Sequence, residues 1–233
     1  MYRYLISICL LLMPLLGMGQ STNNTAGQQQ PAHVDTAANL PLRINGLRVG
    51  VDVKSWIQGI ASSDRDVYNL HLRLDAGPGN VVRYGAMLDL THSQANITGD
   101  SATYYNKGTA VRAGVYLNAM PGDPDNNLLS IGLGYGRSWF DESLSGTVED
   151  VPYGTFPINR SSTGLTAGWV ELSAGMQARV WKQLNVGYNL TLRLLPHFRD
   201  DEQVQIYEIP GFGNANRNST FGFSYYLLYR FKL

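Results

Sequence analysis

The chain has 233 residues, with 18 Lys and Arg balanced by 18 Asp and Glu, and 44% of its residues are hydrophobic. A neutral chain without a basic run offers no charge for nucleic acid or an acidic lipid patch to meet, so no nucleic acid is expected as a partner. Cys9 is the single cysteine. No Cys/His cluster or glycine-rich phosphate loop stands in the sequence, so neither a metal nor a cofactor is expected.

The N-terminus reads as a secretory signal peptide over residues 1–19. Arg3 supplies a basic region, Leu5 to Leu16 an apolar core, and Gly17-Met18-Gly19 a small-residue cleavage region. The core is shorter than the ~20 residues a helix needs to span a bilayer. Residues 20–42 are rich in Gln, Asn, Thr and Ala without periodicity, and read as a flexible periplasmic segment.

From residue 43 to 233 stretches of alternation appear, the mark of strands with two unlike faces, with Met87, Tyr116, Tyr226 and Leu228 as exceptions in the polar set. Strand one sets Leu47, Val49, Val51 and Val53 against Arg48, Gly50, Asp52 and Lys54. Strand two opposes Tyr68, Leu70, Leu72 and Leu74 to Asn69, His71, Arg73 and Asp75; strand three places Arg83, Gly85 and Asp89 on its polar face. Strand four has Arg112 and Gly114 in that set, strand five Ser130, Gly132, Gly134, Gly136 and Ser138, strand six Glu171, Ser173, Gly175 and Gln177. Strand seven carries Asn185, Gly187, Asn189, Thr191 and Arg193, and strand eight ends the chain with Phe221, Phe223, Tyr225, Leu227, Tyr229, Phe231 and Leu233 on one face.

The connections alternate too. Residues 76–80, 121–125 and 181–183 are short turns, whereas 57–66, 92–107, 141–163 and 196–218 read as long loops. Short periplasmic turns and long extracellular loops belong to outer-membrane barrels. The expected fold is therefore all-β: an eight-stranded, antiparallel, up-and-down transmembrane β-barrel, monomeric, in the bacterial outer membrane. A soluble periplasmic calyx of the lipocalin kind has the same periodicity with its apolar set inward. Against it stand the glycines concentrated in the polar set, which suit a narrow interior, and the aromatics near both strand ends, which suit two membrane interfaces.

With the polar set inward, Asp52, Asp89, Arg112, Glu171 and Arg193 form an expected lumen ion-pair network in the loop-side half. Arg48, Arg83, Arg179, Arg230 and Lys232 read as a solvated basic rim on the turn side, partly paired to Asp75. Catalytic candidates are weak: His92, with Ser93, and His197, with Asp200 and Asp201, supply pieces that acyl transfer uses, without fixing their geometry. The stretch Ile206-Tyr207-Glu208-Ile209-Pro210-Gly211-Phe212-Gly213 is too apolar for a solvated tip and reads as a lid over the lumen, or as a partner contact.

Ile44-Asn45-Gly46-Leu47-Arg48-Val49-Gly50-Val51-Asp52, Trp169-Val170-Glu171 with Gly175, Ile209-Pro210-Gly211-Phe212-Gly213 and Thr220-Phe221-Gly222 resemble an uncharacterised Bacteroidota outer-membrane barrel family, a domain of unknown function, over residues 43–233. The resemblance implies barrel and membrane and carries no active site. In such a source, Asp35-Thr36-Ala37 and Asp100-Ser101-Ala102 resemble O-glycosylation signals at Thr36 and Ser101. Expected partners are outer-membrane lipid and lipopolysaccharide, the assembly machinery that reads the C-terminal strand, and an unidentified surface partner. The expected role is non-enzymatic, in envelope structure or surface interaction through the loops; the alternative is a lipid-modifying hydrolase or acyltransferase.

Overall fold

The computed structural model describes residues 41–61, 64–125, 127–150, 152, 154–196 and 206–232. The expected signal peptide, nearly all of the segment at 20–42, Thr36, His197, Asp200 and Asp201 lie outside the described residues. The elements are β1 (Leu42–Asp52), α1 (Val53–Ala61), β2 (Arg65–Pro78), β3 (Tyr84–Thr98), β4 (Ala102–Asn118), β5 (Leu128–Asp150), β6 (Gly154–Trp181), β7 (Leu184–Leu194), β8 (Glu208–Ile209), β9 (Gly213–Asn214) and β10 (Ser219–Lys232).

Eight strands close into a barrel in the order β1-β10-β7-β6-β5-β4-β3-β2, every pair antiparallel, while β8 and β9 form a small separate ribbon. Closure is staggered. Stepping from Phe221 through its successive partners Leu192, Leu172, Leu133, Val115, Ala86, Leu74 and Leu47 returns to β10 at Phe231, ten residues further on. Over eight strands, that stagger corresponds to a tilt of about 40°. A barrel of this girth has room inside for side chains alone.

The alternation decides which faces meet. Arg48, Asp52, His71, Arg73, Asp75, Asp89, Arg112 and Glu171 are buried in the lumen, whereas Val115, Ile131, Leu133, Leu172 and Leu190 stand more than half exposed outside. A calyx needs the opposite orientation, so the soluble alternative does not describe this molecule. An apolar band around the whole circumference has no place in water and fits hydrocarbon. Tyr68, Trp139 and Phe221 edge it on the loop side, Tyr84, Trp181, Tyr229 and Phe231 on the turn side. The lumen glycines are spaces for large neighbours: a Cβ on Gly85 would stand 2.2 Å from the Tyr116 ring, one on Gly136 2.3 Å from Trp169, and one on Gly222 2.5 Å from the Arg193 guanidinium.

The expected loops are more built than their sequence implies. Residues 53–61 form α1, β3 and β4 run on to Thr98 and from Ala102, and β5 and β6 continue to Asp150 and from Gly154. Above the membrane both faces of a strand meet water, so the apolar period fades while the pairing persists.

Beyond Phe140↔Leu165 the β5–β6 hairpin extends ten more residues to Asp150↔Gly154, about 30 Å of strand. At its base, Thr163 and Gly164 of β6 together face Asp141 between Phe140↔Leu165 and Glu142↔Ser162. Gly164 adopts φ +69° and donates its amide to Asp141 Oδ1 at 2.7 Å. This bulge reverses the alternation of β6 above it.

β1 ends before both of its neighbours on the loop side. It stops at Asp52, paired with Tyr226, while β10 and β2 continue past it. There α1 takes over. The Asp52 carboxylate caps it through Lys54 N (3.0 Å) and Ser55 Oγ (2.9 Å), and also accepts the Tyr225 amide (3.1 Å) of β10.

Candidate functional site

The lumen contains two charged clusters. In the turn-side half, Asp75 is the hub: Arg48 Nε reaches Oδ2 at 2.8 Å, Tyr116 OH donates to Oδ1, and Arg230 Nε lies at 3.8 Å. Arg48 also donates to Gln177 Oε1 at 2.6 Å across the barrel, and the Arg73 guanidinium lies over the Tyr116 ring at 4.7 Å. Arg48 is 1% exposed and Asp75 fully buried. The expected solvated rim is therefore corrected: Arg48 and Arg230 are interior. Arg179 does stand outside and pairs with Asp125 at 2.9 Å. On the same turn side, the β2–β3 turn folds Val82 inward. Val82 packs there on Tyr116 and Leu128, held by Asn118 Nδ2 to Val82 O at 2.9 Å and Asn45 Nδ2 to Val81 O at 3.0 Å.

The loop-side cluster joins Asp89, Arg112, Glu171 and Arg193. Arg112 lies 3.5 Å from Asp89 and 3.9 Å from Glu171, and Arg193 Nε donates to Glu171 at 3.2 Å. Trp169 Nε1 adds a bond to Glu171 at 2.8 Å. Among the described residues Asp52 makes no direct ion pair with these cations; its carboxylate bonds to the α1 cap and the β10 amide.

His71, not singled out in the sequence, contacts Asp89 through Nδ1 and stacks on Tyr226 with centroids 4.2 Å apart. Arg73 Nε donates to its Nε2 at 3.1 Å. A guanidinium has no acceptor, so Nε2 must hold a lone pair, which assigns the proton to Nδ1, facing Asp89, on a neutral ring. With both ring nitrogens engaged, His71 has no free atom for a substrate. The signal was present in β2, whose lumen face reads Asn69, His71, Arg73, Asp75.

The loop-side mouth is closed by the last loop. Ile206, Ile209 and Phe212 are buried against Ala110, Phe140, Ala167, Trp169 and Leu195. Pro210 and Gly211, the latter at φ +82°, make a tight turn closed by Phe212 N to Ile209 O at 3.0 Å. Phe212 O then accepts Arg193 Nη1 (3.2 Å) and Thr220 Oγ1 (2.8 Å), tying the lid to the upper ion cluster. Glu208 pairs with Arg65 at 2.7 Å, and this hydrogen bond raises the Arg65 pKa.

Outside the lid, the inner face of the projecting sheet carries an ordered array. Ile97, Tyr104, Leu144 and Arg160 are successive cross-strand partners on β3 to β6, and Ala95, Asn106, Glu142 and Ser162 form the row beneath. Glu142 accepts Tyr104 OH (3.1 Å), Asn106 Nδ2 (3.3 Å) and Tyr207 N (3.1 Å). Burial and the neighbouring carboxylate raise the Tyr104 pKa, keeping the phenol a donor. Between these rows and the lid lies an open cleft of about 650 Å³.

Of the catalytic candidates, His92 is exposed and its ring meets Thr109 Oγ1 at 3.0 Å. Among the described residues, its ring forms no bond to a carboxylate. His197 is not among the described residues.

A closed antiparallel barrel of eight strands, apolar outside and ion-paired inside, defines a transmembrane β-barrel with a side-chain-filled lumen. The chain belongs to the family described as a domain of unknown function (DUF6048), which it matches over residues 1–233. No curated protein matches it. Among solved structures it is similar to Ail, the attachment invasion locus protein of Yersinia pestis, in complex with the heparin analogue sucrose octasulfate, at 12% identity and a TM-score of 0.41, over 80% of this chain and 97% of that one.

Proposed function

We propose that this protein is an outer-membrane barrel that neither conducts nor catalyses, and that it displays the β5–β6 hairpin and the docked last loop at the cell surface as an interaction platform. The observation that carries this reading is closure at both mouths: Val82, Leu128 and Tyr116 on the turn side, Ile206, Ile209 and Phe212 on the loop side, with paired charges between. Eight strands already leave little interior space. The ordered structure beyond the membrane is then the part left to meet other molecules. In this reading residues 1–19 direct export, residues 20–42 stay periplasmic, and the C-terminal strand serves the assembly machinery.

Two measurements test it. The purified barrel in a planar bilayer is expected to show no open-channel conductance, and sustained discrete currents would overturn the non-conducting reading. In intact cells, a cysteine placed as Thr147→Cys at the hairpin is expected to react with a membrane-impermeant maleimide, while Asp123→Cys in a short turn reacts only after permeabilisation. The reverse pattern would overturn the topology.

A further inference from the structure

Resting on that surface reading, we propose that the cleft between the hairpin sheet and the docked loop is a binding site for a linear, neutral oligosaccharide. Its walls come from different parts of the chain: β4 to β6 supply Tyr104, Glu142, Leu144 and Arg160, and the last loop supplies Tyr207 and Asn216. Three properties select this ligand class.

The first is the combination of aromatic and planar polar groups. Tyr104 and Tyr207 pack edge to face with centroids 5.4 Å apart, and Tyr207 is 52% exposed, so its ring offers an apolar surface for the C–H face of a sugar. Arg160 and Ser162 on the inner face of β6, with Asn216 of the last loop, give the same cleft hydrogen-bonding side chains suited to ring hydroxyls. Leu144 and Ile97 lie in the floor between them.

The second is charge. Glu142 and Arg160 are neighbouring groups of opposite sign in adjoining rows of one sheet face. A polyanion would meet Glu142 and a polycation Arg160, whereas a neutral polyhydroxylated chain uses both as hydrogen-bonding groups. Three donors already occupy Glu142, and an ionised carboxylate has about four lone-pair sites. One site remains for a hydroxyl.

The third is preorganisation. Tyr104 to Arg160 spans three neighbouring strands, about 10 Å at ordinary strand spacing, along one straight row. The Gly164 bulge is what turns Arg160 and Ser162 onto the inner face, since unbroken alternation would point both outward. Glu142 fixes both tyrosines, one by side chain and one by main chain. A site held by a sheet loses little freedom on binding.

The test uses the full-length barrel in detergent micelles and a panel of neutral oligosaccharides: cellotetraose, chitotetraose, maltotetraose, mannotetraose and xylotetraose, read by saturation-transfer NMR and calorimetry. At least one is expected to bind, with ten-fold or greater loss of affinity in both Tyr207→Ala and Arg160→Ala, and no change in Arg137→Ala, which faces the barrel exterior. Both altered side chains are at the surface, and an unchanged heat-modifiable gel shift checks that each variant is folded. No binding by any panel member, or binding indifferent to both substitutions, would sink the proposal. Capture of an extended peptide in the cleft, with no saccharide bound, would equally sink it. The surface reading fails separately: there the maleimide fails to reach the hairpin in intact cells. A labelled hairpin with an empty panel overturns the saccharide site alone.

Discussion

The two mouths of the barrel are both closed by apolar clusters, but on different supports. On the turn side, a charged hub, where Asp75 gathers Arg48, Tyr116 and Arg230, backs one small apolar cluster of Val82, Tyr116 and Leu128. On the loop side, a returning loop inserts Ile206, Ile209 and Phe212 against Trp169 and Phe140, and most of the polar bonds that tie it reach its main chain, at Tyr207 N, Glu208 O and Phe212 O. The difference follows from where the closing groups come from. Strand side chains at a narrow waist are fixed by the barrel wall, so they can hold ions at defined distances. A loop has no such frame, and apolar burial, which is non-directional, tolerates its freedom.

That contrast can be broken from its strongest side first. Arg48→Met leaves the Asp75 carboxylate buried with only Tyr116 and the more distant Arg230, which is expected to cost about 3–5 kcal/mol of barrel stability. Urea titration followed by heat-modifiable gel mobility reads it, and a change below 1 kcal/mol would show that the hub contributes little. Ile209→Ala removes a fully buried side chain from the lid, for about 2 kcal/mol, the low end for such a truncation because a loop can settle. Its effect is expected in the lid alone: faster proteolysis within the last loop, with the gel shift of the barrel unchanged. Global loss of the folded band would place the lid within the same cooperative unit.

The smallest expected effect sharpens the boundary of the upper ion cluster. Asp52→Asn keeps an oxygen that caps α1 and accepts the Tyr225 amide, so stability should move by less than about 0.5 kcal/mol. Asp89→Asn in the same assay removes charge that faces His71 and Arg112, and should cost several times more. Equal costs would mean that Asp52 acts as an ion-pair partner.

The legibility of the sequence varied with what surrounds each residue. Phe221 to Phe231 alternate because one face of β10 meets lipid and the other the lumen, so strand, orientation and inside set could all be read. Asp89, Arg112, Glu171 and Arg193 were legible as lumen charges for the same reason. Arg48 was not, since its interior place goes with bonds to Asp75 and Gln177, 27 and 129 residues away in the chain, which local pattern does not encode. The upper hairpin was also hidden. Water on both faces removes the apolar period, and Gly164 shifts the parity of what remains.

Alternation, turn lengths and the placement of glycine by themselves determined an eight-stranded barrel with its charges inward, because a two-residue period admits only two faces and lipid accepts only one of them. Only the tertiary structure decided that Asp75 is a hub, that Asp52 is a helix cap, that the last loop is a lid, and that Tyr104, Glu142, Arg160 and Tyr207 share a cleft. Those relations join residues distant in the chain, and they depend on register, one bulge and the docking of a loop.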